Sequence, residues 1–155
     1  MIIRQTTAED KSAITELAAA NGFEPEEIKI VNKTLAAYLS GDSDALWLSA
    51  IASDDELVGI LYCTPEAMTN GTWNILMILV LPNYQQQGYG KALMTHIETV
   101  LVERDARLII VETSSTEDFA GARAFYPKCG YSIQARIPDF YDADNDKLVF
   151  GKTLR

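Results

Sequence analysis

Cysteine and histidine are scarce in this 155-residue chain: Cys63 and Cys129 lie far apart, and His96 is the single histidine. That argues against a disulfide framework or a zinc cluster, and both cysteines are expected to be buried thiols. Basic residues are also few, 13 Lys and Arg against 22 Asp and Glu, for a formal net charge of −9. Nonspecific nucleic-acid binding draws on clustered Lys and Arg, so nucleic acid is not an expected partner. An acidic surface suits a cationic substrate, although solubility alone also accounts for it. No apolar run reaches the length of a membrane span, and Met1-Ile2-Ile3-Arg4 leads into Thr6-Thr7-Ala8-Glu9-Asp10 rather than a signal-peptide core. The expectation is a soluble cytoplasmic protein with no membrane partner. Linkers, repeats and low-complexity segments are lacking too, so residues 1–155 are expected to form one domain, able to bury roughly two-thirds of its surface.

What is present reads as alternating short elements. Ile2 and Ile3 open a first strand, and Thr7 caps a helix over Asp10 to Ala20 that Gly22 stops. A second helix runs from Glu26 to Leu39 with Pro25 at its start and Ile28, Val31, Leu35 and Leu39 as its buried stripe. Strands follow over Leu46 to Ser53 and Leu57 to Cys63, joined by Asp54-Asp55-Glu56, with Gly59 marking a bulge. Trp73 to Val80 is continuous and apolar, which suits a strand buried on both faces. Beyond it come a helix with Leu93, Ile97, Val100 and Leu101 at helical spacing and His96 on its wetter side, then a strand from Leu108 to Thr113. A helix from about Asp118 to Cys129 and two strands near Tyr131 to Ile137 and Lys147 to Leu154 complete the chain. Trp47 and Trp73 each begin a strand and are expected to pack on the sheet.

The chain is organised around Val80-Leu81-Pro82-Asn83-Tyr84-Gln85-Gln86-Gln87-Gly88-Tyr89-Gly90-Lys91, where the apolar strand gives way to a glycine-bearing loop and a helix. Such a helix start aims unpaired N–H groups and the positive end of its dipole at one point, and so can hold a phosphate. Two phosphate motifs fail on spacing. A P-loop needs a glycine at position 85 and Ser or Thr after Lys91, and a dinucleotide fingerprint needs a small residue where Leu93 stands.

Val80-x-Pro82 followed by Gln85-x-x-Gly88-x-Gly90 resembles the pyrophosphate loop of the GNAT N-acetyltransferase superfamily, and the element order β-α-α-β-β-β-α-β-α-β-β is similar to that family's over nearly the whole chain. The resemblance implies an α/β (α+β) fold with a mixed, mostly antiparallel sheet flanked by helices, and acetyl-CoA as co-substrate with no metal. It places Ile78 and Val80 on the pantetheine arm, and Gln85, Gln86, Gln87, Gly88, Tyr89, Gly90 and Lys91 on the pyrophosphate. The family often has arginine where Gln85 stands, which leaves Lys91 or backbone N–H groups to carry the positive charge.

Two residues could move the protons that amide formation requires. Glu112 closes an otherwise apolar strand, on the face of Leu108 and Ile110 by alternation. Partial burial there would disfavour a charged carboxylate, as a general base for an amine requires. A glutamate in the matching place serves as base in the ribosomal-protein alanine acetyltransferases of this family. A solvated carboxylate where the strand leaves the sheet is the other reading. Tyr126, in Phe125-Tyr126-Pro127-Lys128-Cys129-Gly130-Tyr131, is similar to the tyrosine with which the family protonates the leaving thiolate. It lies offset from the packing stripe of Ala122, Phe125 and Cys129 and is expected to project toward a cleft; a core tyrosine is the alternative. Pro127 departs from the family pattern and is expected to push Tyr126 from helical dihedrals.

Pro138 to Asp146 is read as a connection that borders the amine site in the family, its aromatics and carboxylates suited to a cationic amine. Glu24, Glu26 and Glu27 form either an opposite lip or a solvated helix start. The resulting expectation is an acyltransferase that moves the acetyl group of acetyl-CoA directly to a primary amine of a small amino compound. Its rivals are a ribosomal-protein-type N-terminal acetyltransferase, a noncatalytic acyl-CoA sensor and a nucleotide-binding module. A homodimer is compatible with this reading.

Overall fold

A computed structural model describes residues 1–154. The elements are β1 (Ile2–Gln5), α1 (Lys11–Ala20), α2 (Pro25–Leu39), β2 (Leu46–Ile51), β3 (Leu57–Pro65), β4 (Thr72–Val80), α3 (Tyr89–Glu103), β5 (Leu108–Ser114), α4 (Ala120–Lys128), β6 (Ser132–Asp142) and β7 (Asn145–Thr153). Short 3₁₀ turns at Ala8–Asp10, Pro82–Tyr84 and Glu117–Phe119 precede three of the helices. The strands follow the order β1-β2-β3-β4-β5-β7-β6. The pairs β1–β2, β2–β3, β5–β7 and β6–β7 are antiparallel, and β4–β5 is parallel. This is the mixed, mostly antiparallel α/β architecture that the sequence predicts. No helix among the described residues is long and apolar enough to cross a membrane.

The chain divides into two compact units, one of Met1–Thr64 with Met77–Val100, the other of Pro65–Leu76 with the chain from Leu101 onward. In the first, Ile14 and Leu17 from α1 and Val31 and Leu35 from α2 are buried in one cluster with Trp47, Ile51, Leu57 and Ile60, whereas Ile28 and Leu39, at the two ends of the stripe expected of α2, are only half-buried. Trp47 stacks on Tyr62 with ring centroids 4.8 Å apart. Gly59 lies beside the bulge expected of it: Ala50 faces Gly59 and Ile51 faces Leu57, leaving Val58 as the extra residue. A side chain at Gly59 would meet the Leu79 carbonyl at 3.2 Å and a Leu93 methyl at 3.3 Å, so the absence of a Cβ lets α3 approach the sheet.

A buried polar knot ties β1 to the start of α1. Asp10 accepts from Arg4 Nη1 and Nη2 at 2.8 and 2.9 Å, from the Thr7 amide at 2.9 Å and from Ser49 Oγ at 3.1 Å. The reach of Asp10 back to Thr7 is a capping arrangement that turns the chain from strand into helix. Burial pushes the Asp10 carboxyl up, and the hydrogen bonds from Arg4, Thr7 and Ser49 outweigh it, so the group sits below its ordinary 3.8.

In the second unit, the register of β4 against β5 runs from Thr72↔Leu108 to Ile75↔Val111. Trp73, Asn74 and Ile75 are buried, while Leu76 is 53% exposed and the rest of β4 is only half-buried. Burial on both faces therefore holds for three residues, not for the whole run, because the strand loses the cover of β5 beyond Ile75. β6 is longer than predicted. The Pro138–Asp142 segment, read as part of a connection, continues the strand to a tight turn at Ala143 and Asp144. Its register slips between Ile137 and Asp142, and Asp139 takes a left-handed φ of 54°. Pro138 is tolerated because β6 ends the strand order, where a missing N–H donor breaks no further ladder. All eleven residues of β6 are exposed.

Asp10→Asn should cost about 2 kcal/mol at neutral pH, the scale of a charge-assisted hydrogen bond to a buried group. Because the carboxyl is depressed in the folded state, its contribution is present above pH 3.8 and fades as pH falls through the lower folded value. Urea midpoints of the two proteins should therefore converge in acid.

Candidate active site

The loop after β4 is held from several sides. The Leu81 amide donates to Val58 O at 2.8 Å, Tyr84 Oη donates to Glu56 at 2.8 Å, and Gln87 Nε2 donates to Asn83 O at 2.9 Å. Gln86 and Gly88 both adopt left-handed φ, 62° and 91°. Ala92 donates to Gly88 O at 3.0 Å, so the amides of Tyr89, Gly90 and Lys91 belong to the first turn, where no intrahelical acceptor exists. A Cβ built on Gly88 would meet nothing within 4 Å, which leaves open space in front of those amides. An open depression of about 490 Å³ continues from Gly88 along α3, lined by Lys91, Ala92, Thr95, His96 and Thr99. Helix dipole, free amides, room and one ammonium together fit a diphosphate.

The individual side chains divide. Lys91 opens onto this depression, whereas Gln85 turns away and donates Nε2 to Val80 O at 3.2 Å. That carbonyl also accepts from Asn21 Nδ2 at 3.3 Å. Ile78 and Val80 are half-buried on β4. Glu27 is spent on its own helix, accepting from the Glu24 amide at 2.9 Å, and Glu26 faces Lys29 at 3.4 Å in full exposure. The solvated helix start is the reading these contacts support.

Glu112 lies where alternation places it. Leu108, Ile110 and Glu112 are half-buried, and Ile109, Val111 and Thr113 are buried. Its surroundings differ from the apolar ones expected. Lys147 Nζ stands 2.6 Å from Oε1, and Asn74 Nδ2 donates to Oε2 at 3.2 Å. The same Asn74 nitrogen donates to Glu66 Oε1 at 2.8 Å. Lys147 also lies over the Phe140 ring, 4.3 Å from its centroid. The phenol of Tyr141 is pushed up by burial and then by the charge of Glu112, which places that ring in the same neighbourhood.

Tyr126 is the buried residue of α4, 5% exposed, and does not project from the packing stripe; Phe125 beside it is the half-buried one. The reason is its partners: Phe125, Phe150 and Tyr131 surround it at centroid distances of 5.5, 5.4 and 6.4 Å. Pro127 does not displace it. The helix runs through Pro127 to Lys128, and Cys129 bonds back to Phe125 O and Tyr126 O. Burial pushes the Tyr126 hydroxyl up to about 12. Cys63 is buried as expected, whereas Cys129 is half-buried.

Glu66, Asn74 and Lys147 escape a reading of the sequence, as do Thr95 and Thr99. Asn74 carries a usable signal, since an amide between Trp73 and Ile75 is as anomalous in an apolar run as Glu112 is in its own. Thr95 and Thr99 repeat at four-residue spacing from Lys91, on the helix face that adjoins the loop.

A mixed sheet with a short parallel pair, followed by a glycine-bearing helix start whose first-turn amides fit a diphosphate, is the architecture that the sequence resemblance implies. The profile of the Acetyltransferase (GNAT) family matches residues 11–131, and the chain belongs to that family. Among solved structures it is similar to a Desulfovibrio desulfuricans protein assigned to the GNAT acetyltransferases, at 26% identity and a TM-score of 0.93 over 99% of each chain. It shares its fold with an aminoglycoside 6′-N-acetyltransferase complexed with coenzyme A (17% identity, TM-score 0.81, 100% and 98% covered). The same holds for the ribosomal-protein-S18-alanine N-acetyltransferase from Escherichia coli (20% identity, TM-score 0.78, 99% and 93% covered). The chain is an acetyltransferase of a family that uses acetyl-CoA.

The buried phenol yields a test of its environment. With a folded value near 12 against an ordinary 10.0, Tyr126 contributes stability that is complete below pH 10.0 and is lost as pH rises toward 12. Urea midpoints should fall more steeply above pH 10.0 in the wild type than in Tyr126→Phe. Parallel curves would place the hydroxyl in contact with solvent.

Proposed function

We propose that the chain is an N-acetyltransferase that moves the acetyl group of acetyl-CoA directly to a primary amine of a small amino compound. The observation that carries this reading is Glu112, a half-buried carboxylate oriented by Lys147 on one oxygen and by the buried Asn74 on the other. The names of two proteins of the same fold, an aminoglycoside 6′-N-acetyltransferase and a ribosomal-protein-alanine N-acetyltransferase, describe acetyl transfer to nitrogen and lend it support.

Bound acetyl-CoA supplies an acetyl thioester. The amides of Tyr89, Gly90 and Lys91 and the Lys91 ammonium hold its pyrophosphate, while Ile78, Val80 and the backbone of β4 accompany the pantetheine arm. Gln85, Gln86, Gln87 and Gly88 shape the cradle; Gly88 is required there by its left-handed φ. Amide groups of β4 polarise the thioester carbonyl. Glu112 takes the proton of the amine, directly or through a water, and its contacts with Lys147 and Asn74 hold it in one orientation for that transfer.

Tyr126 is assigned as a hydrogen-bond donor toward the departing sulfur, and the released thiolate takes its proton from solvent. The phenol holds its own proton firmly: about 12 against roughly 8.5 for an ordinary thiol makes full transfer uphill, so the hydroxyl helps only as charge develops on sulfur. Its contribution should therefore be smaller than that of Glu112.

The test is free-thiol release from acetyl-CoA across amino acids, polyamines, arylalkylamines, aminoglycosides and short peptides. Release with one amine class is expected, with kcat lowered roughly 10²- to 10⁴-fold in Glu112→Gln at unchanged acetyl-CoA affinity and a lesser loss in Tyr126→Phe. Full activity in Glu112→Gln would remove the base. Tight acetyl-CoA binding with no release to any amine would overturn the transfer reading.

A further inference from the structure

The amide of Asn74 joins two carboxylates through one nitrogen, Glu66 at 2.8 Å and Glu112 at 3.2 Å. Its own Oδ1 is buried and accepts no hydrogen bond from any described residue, although Asn74 is only 3% exposed. A buried acceptor without a donor is costly in the free chain and becomes an asset only when a donor arrives. Around it the charges do not balance. Glu66 and Glu112 bring two negative charges, and Lys147, 15% exposed at its side chain, returns one. The cluster therefore combines unused acceptor capacity with one uncompensated negative charge.

A primary ammonium answers both deficits, since R–NH₃⁺ carries one positive charge and three N–H donors and no acceptor. An alcohol or an amide brings no charge, and a carboxylate is repelled. Next to the cluster, Phe140 and Tyr141 meet edge to face at 5.0 Å and are 50% and 46% exposed. Phe140 already carries the Lys147 ammonium on its ring, which shows that this face accepts a cation.

We propose that Glu66, Asn74 Oδ1 and Glu112 form an ammonium-binding subsite, which takes the acceptor as a primary alkylammonium whose apolar or aromatic body lies against Phe140 and Tyr141. This rests on the reading of Glu112 as the acceptor-side base. Glu66 anchors the positive charge, Asn74 couples the two carboxylates, and Lys147 occupies the second oxygen of Glu112 as a competing cation. Once bound, the ammonium gives one proton to Glu112 and becomes the neutral amine that attack on a thioester requires.

Phenethylammonium chloride is the probe, titrated into isotopically labelled protein while the side-chain NH₂ resonances of Asn74 are followed, with 2-phenylethanol as the uncharged counterpart. The ammonium should shift the Asn74 resonances saturably and the alcohol should not. Glu66→Gln should weaken binding about tenfold, the scale of one charge-assisted hydrogen bond. Lys147→Met should tighten it, a gain that misfolding cannot produce. Silent Asn74 resonances, equal affinity in Glu66→Gln, or equal binding of the alcohol would each overturn the subsite. Binding as described without acetylation of the probe by acetyl-CoA would leave the subsite standing and remove Glu112 from transfer. Acetylation with Asn74 undisturbed would do the reverse.

Discussion

Backbone N–H and C=O groups must find partners, and β4 finds them on β5 for only a short stretch. The parallel register closes at Ile75↔Val111, and Leu76 is already exposed. In an ordinary sheet an unfinished ladder is a defect. Here it is followed at once by a second set of unsatisfied groups, the first-turn amides of α3. An extended chain of amides ending in phosphates, such as pantetheine with its pyrophosphate, has the complementary groups in that sequence. In the proposed reading, the local rules that make the strand and the helix also leave the groups that such a ligand would use, without a dedicated set of charged side chains. Among the described residues, Lys91 is the ammonium that lines the depression beside Gly88, and the proposed site leaves to backbone dipoles much of what arginines would do elsewhere.

The chemistry proposed for the second unit depends on side chains instead. Glu112 is presented by plain β-alternation, yet its neighbours come from β4, β7 and the segment after β3, which meet only in the folded sheet. Lys147 reaches it because β7 lies antiparallel to β5, with Val149 opposite Glu112 and Lys147 two residues away on the same face. An ammonium and an amide on one carboxylate fix its direction as well as its charge, and the proposed role as base draws on that orientation.

Local periodicity made much of this visible before the structure. The central residues of the α1 and α2 stripes, the placement of Glu112 beside Leu108 and Ile110, and the buried Leu93, Ile97 and Leu101 of α3 all follow from spacings of two or of three to four residues. What periodicity cannot reach is pairing between distant segments. Asn74 and Glu112 are 38 residues apart in sequence, and no local pattern joins them. Tyr126 departs from its expected place for a related reason: a helical wheel ranks faces by apolarity, whereas its burial is decided by Phe150 and Tyr131 from outside the helix. β6 runs past its expected end because Pro138 and the acidic residues after it only imitate a turn. The bulge at Asp139 absorbs them within a strand.

That same bulge has a bearing on how the molecule avoids its own kind. β6 stands at the end of the strand order, eleven residues long and exposed throughout, with Ile133 and Ile137 facing solvent. A flat edge of that length is a template on which another chain could add itself strand by strand. Pro138 offers no N–H to such a visitor, and the left-handed Asp139 next to it turns the following residues out of line. An incoming strand could pair along Ser132 to Ile137 before it met that interruption.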